Sequence, residues 1–218
     1  MNELCKLGAV ETVALLKKRE ISPIDLVEAS AQRIAEVEPA VNAMPTLCLD
    51  RARDHAKRIM AGGKACEASS EAGWLAGLPV SIKDLTDVAG VRTTYGSPIF
   101  ANHVPAKSNP LVERIERKGG IVMGKSNTPE FGAGGSTFSE VFGRTPNSWN
   151  TSLTPGGTMD GGAEALTAGE VRRPHATDHA GSRRFAAIVA SRGADRRGGL
   201  VKRRVARYRD GMSSKCAH

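Results

Sequence analysis

Gly77-Leu78-Pro79-Val80-Ser81-Ile82-Lys83-Asp84 is the stretch whose reading decides the fold. Pro79 fixes the entry of a short strand, the β-branched Val80 and Ile82 supply its packing, and the run breaks at Asp84. Such a strand delivers one lysine, Lys83, to its carboxyl end. A lysine there either snorkels to solvent or sits partly buried with a lowered pKa, and lowered it serves as a general base at neutral pH. Most lysines are exposed, so the strand alone favours solvent and its surroundings must decide.

Downstream, Ser108-Asn109-Pro110 opens a helix whose apolar face is Leu111, Val112 and Ile115, and Gly119-Gly120 closes it. Ile121-Val122-Met123 follows as a continuous apolar strand running into Gly124-Lys125-Ser126-Asn127. Strand, helix and strand predict a βαβ unit on a buried parallel sheet. Ligands collect at the carboxyl ends of strands in such sheets, where Lys83 and Lys125 both fall. Lys125 reads as packing at its strand end, at the border of the site, and Asp84 as capping the turn after its strand. Glycine-punctuated residues 90–97 read as a site rim.

Upstream, the spacing predicts a helix over residues 7–18, with Val10, Val13 and Leu16 on one side. A second starts at Ser22-Pro23-Ile24-Asp25, with Ser22 as N-cap and Asp25 in the box position. It continues through Leu26, Ala29, Ile34 and Val37 and is expected to stop before Pro39. A third covers 50–60, closed by Gly62 and Gly63. Residues 132–162 are rich in Gly, Ser, Thr, Asn and Pro, yet Phe131, Phe138, Phe142 and Trp149 are interleaved through and beside them. In a chain with nine aromatic residues that points to an ordered site loop rather than a linker.

The 218 residues allow one large domain or two small ones with a real core. The net charge of +8 is unevenly spread. Residues 171–218 hold 11 Arg and 2 Lys against Asp178, Asp195 and Asp210, a net of +10, while the first 170 residues carry 18 basic and 20 acidic groups. No apolar run approaches the ~18 residues of a membrane span, and Met1 to Lys6 lacks the basic-then-apolar order of a signal peptide. Cys5, Cys48, Cys66 and Cys216 are scattered, without metal-ligand spacing, and read as free thiols of a reducing cytoplasm. No metal or cofactor is expected, and no membrane partner. His103 and His175 have no metal-spaced partners and read as surface residues.

Four motifs together resemble the amidase signature family: Gly77 to Asp84; Gly124-Lys125-Ser126-Asn127-Thr128-Pro129-Glu130-Phe131; Asn147-Ser148-Trp149-Asn150; and Thr154-Pro155-Gly156-Gly157. The similarity runs in order from about Leu7 to Val171. It implies an α/β fold with a mixed sheet and N-terminal helices packed around it. It also implies hydrolysis of carboxylic amides, as small-molecule substrates, to acid and ammonia through a Ser–cis-Ser–Lys triad. By position, Lys83 matches the base, Thr158 the bridging serine, and Ser182 the nucleophile. The backbone N–H groups of His179, Ala180 and Gly181, before the nucleophile, match the oxyanion hole.

Three residues depart from the family's Gly-Gly-Ser-Ser-Gly turn. Thr158 keeps a hydroxyl but adds a methyl, Met159 removes one, and Asp160 brings a carboxylate toward the developing oxyanion and the lysine. Each works against catalysis. Beyond Val171, Arg172-Arg173-Pro174-His175 stands where the family has an apolar strand, and the arginine-rich remainder lacks helical or strand period. The expected organisation is therefore an amidase-like, truncated domain over 1–171 and a basic, disordered tail over 172–218. A frameshift or recombination near residues 158–172 would produce this pattern, and resequencing the coding DNA for one inserted or deleted base tests it. The expectations in competition are an amide hydrolase, an inactive truncated or frameshifted amidase-like chain, and a nucleic-acid binder acting through the tail. The sequence leaves oligomeric state open.

Overall fold

A computed structural model describes residues 2–62 and 72–177. Its centre is β2 (Pro79–Lys83), all five residues of which are buried. It runs parallel to β3 (Ile121–Ser126) on one side and to β6 (Arg173–Pro174) on the other. β1 (Thr46–Leu47) lies antiparallel to β3, so the sheet is mixed, in the order β1-β3-β2-β6. The strand–helix–strand unit expected around Lys83 is present, with α4 (Pro110–Arg117) between β2 and β3. Asn109 caps that helix by accepting from Leu111 N–H, and Pro110 opens it. β6 lies past residue 171 and joins the sheet through Arg172 N–H to Pro79 O and His175 N–H to Ser81 O.

Alternation along β2 turns Val80 and Ile82 toward α4, where they pack with Val88, Val91, Val112 and Val122. The opposite face is covered by α2 (Pro23–Val41), α3 (Leu49–Ala61) and α5 (Asp160–Thr167). Leu26, Ile34, Ala52, Ile59, Trp74, Ile121, Met123 and Val171 build the larger core there.

The register between β2 and β3 slips once. Val80 pairs with Val122 but Ser81 pairs with Gly124, so Met123 is the extra residue of a bulge. The close approach demands glycine: a Cβ on Gly124 would lie 2.4 Å from Thr46 O. After the slip Lys125 pairs with Ile82, and Lys83 with Ser126. Because a one-residue slip exchanges faces, the two lysines point to opposite sides of the sheet.

Two helices differ from the sequence reading. α1 (Ala9–Lys18) buries Thr12 and Leu16, whereas Val10 is 88% exposed. The apolar spacing named Leu16 correctly but not Val10, and Thr12 takes a buried position with its hydroxyl donating to Gly8 O. α2 begins with the expected Ser22–Asp25 capping box but passes through Pro39 to Val41. Pro39 sits in the last turn, where only one backbone bond is lost. Asn42 then closes the helix in the left-handed region, and Glu38 Oε1 accepts from Ala43 and Met44 N–H beyond it.

The Gly/Ser/Thr-rich stretch is folded as a β4–β5 hairpin (Phe138–Ser139, Gly143–Arg144) and polar turns, with Arg92 over the ring of Phe142, 4.9 Å from its centroid. Phe138 and Trp149 are exposed. Polar side chains hold it instead. Thr145 donates to Asn42 O, Asn127 to Thr145 Oγ1, and Ser148 to the buried Glu164.

Candidate active site

Lys83 ends β2 on the face covered by α5, and only 1% of it is exposed. Its Nζ donates to Thr177 Oγ1 at 3.0 Å and reaches Thr158 Oγ1 at 3.4 Å. Among the described residues no carboxylate accepts a hydrogen bond from it. Burial pulls its pKa down to about 8, and the field of Asp160 opposes the fall. A lysine so placed spends a useful fraction of its time neutral near pH 8.

Each partner is placed by a different element. Thr158 lies in the turn that enters α5. That helix approaches so closely that a Cβ on Gly161 would sit 2.5 Å from the Asn127 backbone. Thr177 follows β6. Since β6 runs parallel to β2, the residues after Pro174 emerge at the same end of the sheet as Lys83. The sequence reading gives Thr177 no role; its place beside Asp178, ahead of Ser182, was the available signal. All peptide bonds among the described residues are trans, including that at Thr158. Ser182, His179, Ala180 and Gly181 lie outside the described residues.

Asp160 is buried at the first position of α5, and its Oδ2 accepts from Thr137 N–H at 2.9 Å. The backbone N–H groups of Gly157 and Gly156 also act on it, while burial pushes its pKa up to about 6. Thr137 Oγ1 donates to Gly157 O at 3.1 Å. The carboxylate therefore ties together the turn that carries Thr158, in addition to raising the pKa of Lys83.

His175 is half-buried rather than a surface residue, because β6 adds it to the sheet; its N–H donates to Ser81 O at 2.7 Å. Burial, with Lys83 and Lys125 adding, pulls its pKa down to about 4. It is therefore neutral at pH 7. It lines a cavity of about 670 Å³ together with Val80, Leu111, Ile115, Met159 and Ala163. His103 stacks on Tyr95, ring centroids 5.9 Å apart, in a cluster with Phe100 and Phe131.

The second strand-end lysine is bound otherwise. Lys125 Nζ lies 3.1 Å from Asp84 Oδ1 and donates to Thr86 O and Thr93 Oγ1, both at 2.8 Å. Asp84 Oδ2 in turn accepts from Thr94 N–H at 3.0 Å and from Thr94 Oγ1–H at 2.6 Å. Two ammonium protons of Lys125 thus go to Thr86 O and Thr93 Oγ1, and the charge is paired with Asp84. Asp84 is more than a turn cap: it is the counterion of Lys125 and anchors the rim segment at Thr94.

Among the described residues no group of three His, Cys, Asp or Glu side chains is arranged to hold a metal, and no helix is long and apolar enough to cross a membrane.

Comparison with known proteins bears on this arrangement. The family described as Amidase matches residues 25–190. The chain is 39% identical over 180 residues to a glutamyl-tRNA(Gln) amidotransferase subunit of Anaeromyxobacter dehalogenans (strain 2CP-C), covering 83% of this chain and 36% of that protein. The corresponding subunit from Synechococcus sp. (strain CC9605) is 40% identical over 167 residues, 77% of this chain and 33% of its own length. The chain thus spans about a third of the curated relatives it matches. Among solved structures, 6-aminohexanoate cyclic dimer hydrolase complexed with substrate superimposes with a TM-score of 0.75 at 26% identity, over 86% of this chain and 37% of that one. The glutamyl-tRNA(Gln) amidotransferase subunit from Thermotoga maritima gives 0.61 at 28% identity, over 78% and 34%.

Proposed function

The chain belongs to the amidase family, and from that premise we propose that it carries the base and relay of an amide C–N hydrolase. The observation that supports this best is Lys83, buried with its nitrogen between two hydroxyls and its pKa lowered to about 8. A lysine base needs this environment: a hydrogen-bonded carboxylate would keep it charged, and full exposure would return it to the ordinary lysine range.

In this reading neutral Lys83 takes a proton from the Thr158 hydroxyl as Thr158 takes one from Ser182. The Ser182 oxygen attacks the amide carbonyl, and the negative charge that forms on the carbonyl oxygen falls to the backbone N–H groups of His179, Ala180 and Gly181. The C–N bond then breaks, the amine leaves with the proton returned through Thr158 from Lys83, and an acyl ester remains on Ser182. Water repeats the relay on the ester and releases the carboxylic acid. The substrate class is a carboxylic amide without a required metal or cofactor.

Ammonia release from simple aliphatic and aryl amides, compared with that of Lys83→Ala, tests the proposal. A rate that falls to background in the variant supports it; equal rates end it.

A second reading, an impaired amidase, has its own support. Asp160 raises the pKa of the base, and Met159 stands where the family turn has a second hydroxyl. Asp160→Asn then raises the rate near pH 7, and an unchanged or lower rate argues against this reading.

A further inference from the structure

We propose that Thr177 is the positioning residue of Lys83: its hydroxyl accepts one N–H of the amine and so turns the nitrogen's remaining valence toward Thr158. This rests on Lys83 being the base, although its test requires no catalysis.

The argument is one of donors and acceptors. A neutral lysine has two N–H groups and a single lone pair. To accept a proton from Thr158, the lone pair must face that oxygen, and nothing in a freely rotating Cε–Nζ bond ensures it. Thr177 Oγ1 lies 3.0 Å from Nζ, nearer than Thr158 Oγ1 at 3.4 Å. With an N–H held on Thr177, rotation is fixed and the lone pair is free for the other hydroxyl. The two threonines thus divide the work, one accepting and the other donating. Their positions come from separate elements, the end of β6 and the entrance of α5, so their convergence on one nitrogen is a property of the tertiary fold.

The same contact bears on the charged state. Ammonium donates to Thr177 more strongly than the amine does, so the hydroxyl favours the protonated form. Among the described residues, Asp160 also favours that form, and His175 is neutral.

The test is a pH titration of the Lys83 side-chain carbon resonance in the full chain labelled with carbon-13 lysine, assigned with Lys83→Met. Thr177→Val should lower the midpoint, near 8 in the parent, by about one unit, and Thr177→Ser should leave it within a few tenths. Thr158→Val should shift it less than Thr177→Val. A midpoint that Thr177→Val does not move, or that Thr158→Val moves further, overturns the proposal. Should Thr177→Val fail to fold, Thr177→Ala supplies the same reading. Loss of amide hydrolysis with the titration pattern intact would count against the amidase reading alone.

Discussion

Lys83 and Lys125 end neighbouring parallel strands, and both are almost wholly buried, yet they are solved in opposite ways. Lys125 is locked: a backbone carbonyl and a hydroxyl accept from it, and a carboxylate at 3.1 Å pairs its charge. Burial lowers its pKa and Asp84 opposes the fall. Lys83 has two hydroxyls and no paired carboxylate among the described residues, and its pKa drops to about 8. Burial alone therefore does not make a base. What separates a structural lysine from a reactive one here is the chemistry of its acceptors, since a hydroxyl can both accept from the ammonium and donate to the amine, whereas a carboxylate does only the first.

The comparison breaks most visibly if Lys125 can be lost cheaply. Lys125→Met leaves Asp84 buried with its counterion gone, and should cost about 3–5 kcal/mol in denaturant unfolding, the typical penalty for an uncompensated buried charge. A cost under about 1 kcal/mol would mean that the pair does not hold the strand ends together. Lys83→Met should do the reverse. Its folded pKa lies below its unfolded value, so the buried lysine destabilises below pH 8, progressively less between pH 8 and 10.5, and not above. Replacing it should stabilise the fold by about 1–3 kcal/mol at pH 7, with the gain gone above pH 10.5.

That pH window is shared with Glu170. Burial and the neighbouring Glu38 raise its pKa to about 9. A raised carboxyl contributes stability that is full below its ordinary value of about 4.5 and lost as pH rises through 9. Glu170→Gln should therefore gain stability relative to the parent between pH 5 and 9, by about 1 kcal/mol or more at pH 9. The Lys83 profile is sharpest when taken in that background; a parallel pH dependence in both backgrounds would place Glu170 outside the alkaline transition.

The smallest expected effect is kinetic. Amide hydrolysis should rise with pH through about 8, as Lys83 deprotonates, and Asp160→Asn should move that midpoint down by a few tenths of a unit. Stopped assays of ammonia release across pH 6–10 read both. A rate falling across that range would remove Lys83 as the base.

Much of this was legible in the sequence because it is local. The Ser22–Asp25 capping box, the Asn109-Pro110 helix start and the β2–α4–β3 unit follow from residues within a few positions of one another. Where the reading went astray, a polar contact or a strand pairing that apolar spacing does not show intervened. Val10 lost its place to Thr12, α2 outran Pro39 because Glu38 and Asn42 finish it properly, and His175 became half-buried because β6 joins the sheet. The interleaved aromatics pointed to an ordered loop; Phe138 and Trp149 are exposed, and Thr145, Asn127 and Ser148, whose partners lie elsewhere in the chain, hold it.

The sequence by itself determined that Lys83 closes a buried apolar strand and that Lys125 closes another, since both follow from runs of side chains along a single segment. The likeness to the amidase family, not the run of residues, pointed to Thr158 as a partner for that lysine. Which lysine is paired and which is left to hydroxyls was decided only in three dimensions, by one extra residue. Were β2 and β3 in unbroken register, Lys83 would pair with Lys125 on one face; the bulge at Met123, accommodated by Gly124 against Thr46, sends them to opposite faces. One then meets Asp84 and the rim segment, the other Thr158 and Thr177. Gly124 permits that bulge, but only the approach of Thr46 across the sheet realises it.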